Sequence, residues 1–335
     1  MARYILRRLL VLAGMLFGLL CTTFLVANVA PGDPAALAAG PNATRAMVET
    51  LRREYGFDRP LAEQFWIYIR DIAHGNLGRS ISTTHPVTED VAKALPNTIE
   101  LVAAAMGLGI AGGVGLGIVA AVRRDGWIDH LIRVFAVSGI ALPTFWFGLL
   151  LQLLFAVQLG WLPVSGRLGI MTAVPQPITH LLIVDALLRG MWGTAWQAMG
   201  YLILPAVVLS FPCLASIARV TRAEMIECLA QDYMTGGIAQ GLSPRRMQLR
   251  HALRNAMLPI LALIGLRFGW MLGGTVLVET VFDWPGLGLL AVTTALLSDF
   301  KPVLGVTLVI GFCFMTTNFL IDLTYAWLDP RLRHG

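Results

Sequence analysis

The sequence is poor in charged side chains. Only 13% of its 335 residues are Asp, Glu, Lys or Arg, whereas hydrophobic residues make up 56%. Soluble domains carry roughly a quarter charged residues, so this composition excludes an ordinary soluble protein. The mean hydropathy of +0.70 predicts instead an integral membrane protein with several spans.

Cysteine and histidine are also scarce. The four cysteines are scattered without CxxC spacing, which indicates neither a disulfide framework nor a zinc site. The six histidines do not cluster and none lies in a long apolar segment, so an intramembrane hydrolase is not indicated. No GxxxxGK[ST] phosphate loop occurs. The chain is therefore predicted to be non-catalytic, with no catalytic, cofactor-binding or metal-binding residues of its own.

Long apolar runs dominate the rest of the sequence. A bilayer core needs about 20 predominantly apolar residues per helix, and the strand-like alternation typical of a membrane barrel is absent. The sequence therefore predicts an all-α integral membrane protein with six transmembrane helices. The predicted spans are residues 9–30, 98–121, 134–158, 198–218, 258–281 and 303–327.

Arginines are distributed unevenly among the loops. Basic residues in short loops favour the cytoplasmic side, whereas long loops cross largely regardless of charge. This rule places both termini and the loop 219–257 in the cytoplasm and the long segment 31–97 outside. The net charge of +5 thus indicates orientation rather than nucleic-acid binding. The predicted organisation is a cytoplasmic N-terminus and first span (1–30), the extracytoplasmic segment, and a core of the other spans (98–335).

The first span also imitates a secretory signal, because a basic start precedes an apolar run. We interpret it as a retained span, since the run is long and Pro31 would block cleavage. In the extracytoplasmic segment, apolar spacing predicts helices over 44–57 and from Leu61 to the glycines at 75 and 78. A short third helix is predicted before Pro96.

Several spans contain residues that are unusual in lipid. The glycine-rich stretch Met106–Val122 predicts close helix packing, with a sliding or rotating helix as the alternative. Pro143 predicts a kink in the third span. Arg267 lies in the fifth span, where charge is rare; it is either a pathway cation for a substrate carboxylate or a structural cation. Trp270 is grouped with it as a candidate pathway residue.

A polar, glycine-rich and arginine-rich interval separates the fourth and fifth spans. The fourth span is predicted to continue as a helix to Met234, after which Gly236, Gly237 and Gly241 break or turn it. A membrane-surface helix or a loop that only fixes topology would also use the arginines. The glycine turn favours a different interpretation, in which the interval docks into a groove of another protein.

The second half of this interval has the signals of a helix start. Ser243 is a candidate cap, and Pro244 suits the first helical position. They predict a short helix along the membrane face before Pro259 opens the next span.

At this point the sequence resembles the ABC-importer permeases, in the branch for dipeptides, oligopeptides, nickel and glutathione. The interval is similar to their EAA loop, and further motifs follow in the same order along the chain. The shared motifs are Pro31-Gly32-Asp33-Pro34, Gly75-Asn76-Leu77-Gly78-Arg79-Ser80, Pro96-Asn97-Thr98, Asp232-Tyr233, Gly241-Leu242-Ser243-Pro244-Arg245-Arg246, His251-Ala252-Leu253-Arg254-Asn255 with Leu258-Pro259, Glu279-Thr280-Val281-Phe282 with Trp284-Pro285-Gly286-Leu287-Gly288, and Asp329-Pro330-Arg331.

The resemblance implies a type I ABC importer permease fold in the bacterial inner membrane. It implies uptake of dipeptides, oligopeptides or a related small solute through a pathway shared with a second homologous permease. Two cytosolic ATPases, which would bind ATP and Mg, and an extracytoplasmic solute-binding protein complete the implied complex. The implied ATPase-coupling residues are Asp232, Tyr233, Gly237, Gly241, Leu242, Ser243, Arg245, Arg246 and Arg250. Candidate contacts for the binding protein are Arg167 and Trp284.

One departure and two alternatives accompany this prediction. Met234–Gly237 stands where the family has a more alanine- and arginine-rich stretch, which predicts a late start of the coupling helix. An ion-gradient-driven secondary transporter or channel subunit is the main alternative, but it would show intramembrane acid or histidine relays or inverted repeats. The second alternative is a structural scaffold subunit. Whether uptake is lost when the gene is deleted would distinguish a transport subunit from such a scaffold.

Overall fold

The computed structural model describes residues 2–29, 44–54 and 58–328. The motifs at 31–34 and 329–331 lie outside these residues. The described chain is helical and contains no β-strand. Its α-helices are α1 (Ala2–Val29), α2 (Arg45–Glu54), α3 (Leu61–Ala73), α4 (Val87–Val122), α5 (Trp127–Ala141), α6 (Thr144–Leu151), α7 (Leu182–Leu188), α8 (Trp192–Leu229), α9 (Asp232–Ala239), α10 (Pro244–Arg246), α11 (Leu253–Val281), α12 (Leu287–Leu296) and α13 (Phe300–Leu328). Two π-helical segments, Gln152–Gln158 and Met247–Ala252, extend α6 and join α10 to α11.

Among the residues that the structure describes, five helical segments are long and apolar enough to cross a membrane. They are Leu6–Val26, Val87–Val122, Trp192–Leu229, Pro244–Val281 and Phe300–Ile321. Each coincides with a predicted span, so the all-α membrane architecture is confirmed.

The predicted third span is bent rather than merely kinked. Trp127–Ala141 and Thr144–Gln158 are bent by 111° at the break between them, and they bring the number of spans in the described residues to six if the pair is counted as one broken span. Leu142 is extended, because the ring of Pro143 disfavours a helical conformation at the preceding residue. Pro143 therefore ends one helix and begins another.

Two other predicted helix boundaries are wrong. Pro96 lies inside α4, so there is no separate short helix before it. Pro259 likewise lies inside α11, and the helix that starts at Pro244 runs continuously to Val281. An internal proline removes one helical hydrogen bond, and packing on neighbouring turns can outweigh that loss. The neighbours of Pro259, Ala256 and Ile260, are both fully buried.

The chain forms two compact units, residues 1–96 with 285–335 and residues 97–284. In the first unit, α13 packs against α1 and α12. Its buried core consists of Val87, Val91, Ala94, Leu287 and Val306.

A buried carboxylate also ties together two loops of the first unit. Asp299, which precedes α13, is 1% exposed. One of its oxygens accepts hydrogen bonds from the Ser80 hydroxyl at 2.7 Å and from the backbone N–H of Ile81 at 2.7 Å. The same oxygen accepts two more from the hydroxyl and N–H of Ser82. The motif that contains Ser80 is therefore fixed to the turn before the last span.

The second unit is built around α8, which packs against α5, α7 and α11. The predicted close packing of the glycine-rich stretch is confirmed, because α4 meets α8 at glycines. A Cβ added at Gly113 would lie 2.7 Å from Ile217 Cβ, and one at Gly117 would lie 2.5 Å from Thr221 Cβ. Such distances leave no room for any side chain at these positions.

Candidate functional site

Residues 230–250, called here the polar segment, form a helix, a turn and the start of a second helix. α8 ends at Leu229, and Gln231 is extended before α9 begins at Asp232. The predicted continuation of the preceding helix to Met234 is therefore wrong. The helix in this interval does not start late either, because α9 already includes Met234–Gly237. The extended Gln231 separates the two helices, and the negative charge of Asp232 in the first turn favours helix initiation there.

α9 packs against the helix that follows, and one methionine on each side of the turn is buried. Met234 is 6% exposed and Met247 is 2% exposed. A Cβ added at Gly237 would lie 2.5 Å from Met247 Cε, so the methionine packs directly on this glycine. Gly236 and Gly237 lie inside α9 and do not break it, contrary to the prediction. Sequence reasoning missed both methionines, although two large apolar residues in a polar stretch are a recognisable sign of packing.

The turn itself matches the prediction. Gly241 has a φ of +84°, a left-handed conformation that favours glycine. Its N–H donates to the carbonyl of Ile238 at 2.9 Å and closes the end of α9. Pro244 occupies the first position of α10, as predicted. Ser243 stands at the cap position, but its side chain makes no capping hydrogen bond.

Most of the polar segment is exposed. Within the part of the chain that the structure describes, Arg245, Arg246 and Arg250 form no ion pair. Large apolar side chains lie on the same segment, with Ile238 50% and Leu249 56% exposed. Arginine is enriched at protein interfaces, which combine apolar and polar contacts, so this surface suits a protein partner. Of the sequence-predicted coupling residues, Gly237 and Leu242 are half-buried; the exposed ones are Asp232, Tyr233, Gly241, Ser243, Arg245, Arg246 and Arg250.

The two residues predicted to contact a binding protein occupy a different environment. Arg167 forms an ion pair with Glu100, which is 7% exposed, and its guanidinium lies 5.7 Å from the ring centre of Trp284. Trp284 is 1% exposed and donates its indole N–H to the carbonyl of Asn97 at 2.9 Å. Direct contact between Trp284 and another protein is therefore not available in this structure. The cluster instead fixes the base of the loop 159–181.

The far end of this loop is also fixed, whereas two apolar side chains at its tip are fully exposed. Asp185 of α7 accepts hydrogen bonds from the N–H and hydroxyl of Thr179, each at 2.7 Å. Burial alone would raise the pKa of Asp185, but these hydrogen bonds and that of the Ile178 N–H lower it below its usual value. By contrast, Ile170 and Met171 are fully exposed, at 102% and 98%. The loop thus presents an apolar tip on a rigid base.

The candidate pathway residues Arg267 and Trp270 share one face of α11, because they are three residues apart. Arg267 is half-buried and has no ion pair or hydrogen bond with any residue that the structure describes. Trp270 is 76% exposed. The structure therefore places an unpaired cation beside an open aromatic ring.

Sequence reasoning also missed a buried ion pair, Asp129–Arg222, which joins α5 to α8 at 2.6 Å. The two residues are 93 positions apart, and nothing local in the sequence indicates their pairing. Within the described residues, no three His, Cys, Asp or Glu side chains lie close enough together to hold a metal ion.

Comparison with known proteins gives consistent matches over the chain. Residues 113–334 match the family described as binding-protein-dependent transport system inner membrane component, and residues 1–102 match its N-terminal counterpart. The chain is 42% identical to a probable D,D-dipeptide transport system permease protein of Escherichia coli K12, covering 95% of this chain and 94% of that protein. It is 39% identical to a di/tripeptide transport system permease protein of Pseudomonas aeruginosa, covering 100% and 99%. A glutathione transport system permease protein of Escherichia coli is 37% identical, with 100% of both chains covered.

These matches agree with the helical spans and with the order of the shared motifs. They favour an ABC importer over the ion-gradient-driven transporter considered as the alternative. The chain belongs to the family of binding-protein-dependent transport system inner membrane components and is a multi-pass permease subunit of an ABC importer.

Proposed function

We propose that the chain forms half of the translocation pathway of an importer for dipeptides, oligopeptides or a related small solute. A second homologous permease would form the other half, and a binding protein would deliver the substrate from outside. Two cytosolic ATPases would bind ATP and Mg, hydrolyse the nucleotide and dock on the polar segment. The observation that carries this proposal is the polar segment, in which three exposed arginines have no ion pair among the described residues and two methionines are buried. The peptide and glutathione permeases similar to this chain support the substrate class.

The helices that flank the polar segment explain how it would transmit force. α8 ends at Leu229, immediately before the segment. The helix that begins at Pro244, inside the segment, continues into the fifth span. A displacement of α9 would therefore reach the fifth span through Met247, which packs on Gly237. It would reach α8 through the two residues that join the helices. Since the chain has no phosphate loop, energy would enter only through this contact. The proposed orientation has both termini and the polar segment in the cytoplasm.

Reversing one charge tests the docking site. We expect Arg246→Glu to lower the amount of ATPase that co-purifies with the tagged permease about tenfold, because an exposed cation would become an anion at the contact. Arg53→Glu is the matched control, since Arg53 is an exposed arginine in the segment assigned to the opposite side. Equal ATPase recovery with both variants would contradict docking at the polar segment.

Substitution of Arg267 tests whether this residue lines the substrate pathway. If its unpaired guanidinium meets substrate carboxylates, Arg267→Gln should shift the uptake ratio of acidic to neutral peptides about tenfold towards neutral ones, or roughly 1.4 kcal/mol. Arg267→Lys keeps the charge and should keep the preference. Competition assays with matched acidic and neutral dipeptides at equal expression measure this ratio. An unchanged profile in the glutamine variant would leave Arg267 as a structural cation.

A further inference from the structure

Asp129 and Arg222 form a bidentate ion pair, called here the fork, within the second unit. Asp129 lies in the first turn of α5 and is fully buried. Its two carboxylate oxygens accept hydrogen bonds from Nε and Nη2 of Arg222, at 2.6 and 2.7 Å. A fork of this kind fixes the relative orientation of its partners as well as their separation.

Neighbouring groups complete the junction. The backbone N–H of Asp125 donates to Asp129 at 3.1 Å, so the turn between α4 and α5 is held to the same carboxylate. Arg133, one turn along α5, places its Nε 3.7 Å from Asp129. Beside Arg222, Thr221 packs on Gly117 of α4 so closely that an added Cβ would lie 2.5 Å away. Three helices, α4, α5 and α8, therefore meet at one point.

The position of this junction along α8 is informative. Arg222 lies about two turns before α8 ends at Leu229, where the polar segment begins. Farther from that end, α8 contains Pro205 and Pro212, each of which removes a helical hydrogen bond. A displacement that reaches α8 from the polar segment meets the junction before it meets these weaker points.

We infer that Asp129 and Arg222 are positioning residues for energy coupling, which keep the ends of α4, α5 and α8 together as one rigid body throughout the transport cycle. This inference rests on the proposed docking of ATPases at the polar segment. With the fork intact, a displacement of α9 turns all three helices together. Without it, α8 rotates alone, and ATP is hydrolysed without matching movement of substrate.

A lysine at position 222 tests the fork while preserving the charge. The readout is substrate uptake per ATP hydrolysed, measured on the complete transporter in proteoliposomes. We expect Arg222→Lys to lower this ratio at least fivefold while ATP hydrolysis stays within about twofold of normal. Arg219→Lys, on an exposed arginine of the same helix, should leave the ratio unchanged. A normal ratio in Arg222→Lys, or equal losses of hydrolysis and uptake, would overturn the inference.

A cross-link distinguishes a rigid junction from one that must open. Asp129→Cys with Arg222→Cys, in a chain that lacks the four native cysteines, should couple poorly. Bridging the two thiols with a short bifunctional methanethiosulfonate should restore uptake per ATP, and cleaving the bridge should lower it again. Inactivation by the bridge would show that the pair opens during transport and would overturn the inference. Normal ATPase recovery with Arg246→Glu would instead contradict only the proposed docking site. Substrate uptake per ATP in the bridged variant is a separate measurement that tests the ion pair itself.

Discussion

Replacing Gly113 with leucine is expected to reduce the amount of folded, membrane-inserted protein at least tenfold. A Cβ at this position would lie 2.7 Å from Ile217 Cβ and 2.9 Å from the carbonyl oxygen of Leu214. The carbonyl belongs to the backbone of α8, so the clash cannot be relieved by a side-chain rotation. Overpacking typically costs about 1–3 kcal/mol and occasionally more. A leucine between two helix backbones belongs at the upper end of that range, where each 1.4 kcal/mol is about tenfold in equilibrium constant.

Gly115 provides the matched control, because it lies on the same helix and has nothing within 4 Å of an added Cβ. Two residues along a helix correspond to about 200° of rotation, so the same leucine points away from α8. Gly115→Leu should therefore keep near-normal yield and thermal stability. The measurement is the monodisperse fraction in size-exclusion chromatography of detergent-solubilised protein, together with its melting temperature. Equal yields for the two variants would contradict the close contact of α4 with α8.

Features set by local chemistry are the ones that the sequence predicts well. The apolar runs identify the spans, since each backbone polar group in lipid must be satisfied within a helix. Gly241 and Pro244 likewise mark the turn correctly, because the left-handed conformation and the first helical position each favour one residue type. The position of the break at Pro143 also follows from the sequence, whereas the bend of 111° does not.

Features set by distant contacts are not visible in the same way. Proline signals predicted helix ends at Pro96 and Pro259, yet both residues lie inside long helices. The glycines at 236 and 237 look like helix breakers, but α9 continues through them as Met247 packs against Gly237. The buried Trp284 likewise donates its indole N–H to the carbonyl of Asn97, which is remote in sequence. In each case the deciding contact comes from an element that local patterning does not identify.

Gly241→Val should reduce substrate uptake and transport-coupled ATP hydrolysis about tenfold without lowering the amount of protein in the membrane. Gly241 has a φ of +84°, and a branched side chain there is strained by about 1–2 kcal/mol. An added Cβ meets nothing within 4 Å, so the effect is conformational rather than a clash. The strain would rearrange the turn that positions α9 over Met247, which is the surface proposed to receive the ATPase. Uptake in cells and substrate-stimulated ATP hydrolysis by the purified complex measure the change.

Gly236→Val separates this conformational effect from the simple addition of a side chain. Gly236 is exposed, lies within α9 and also has nothing within 4 Å of an added Cβ. Its backbone is helical, and valine is no worse a helix former than glycine, so α9 should persist. The same substitution five residues earlier should therefore leave uptake close to normal. If Gly241→Val transported as well as Gly236→Val, the left-handed turn would have no part in coupling, and the arginines beyond it would have to dock without it.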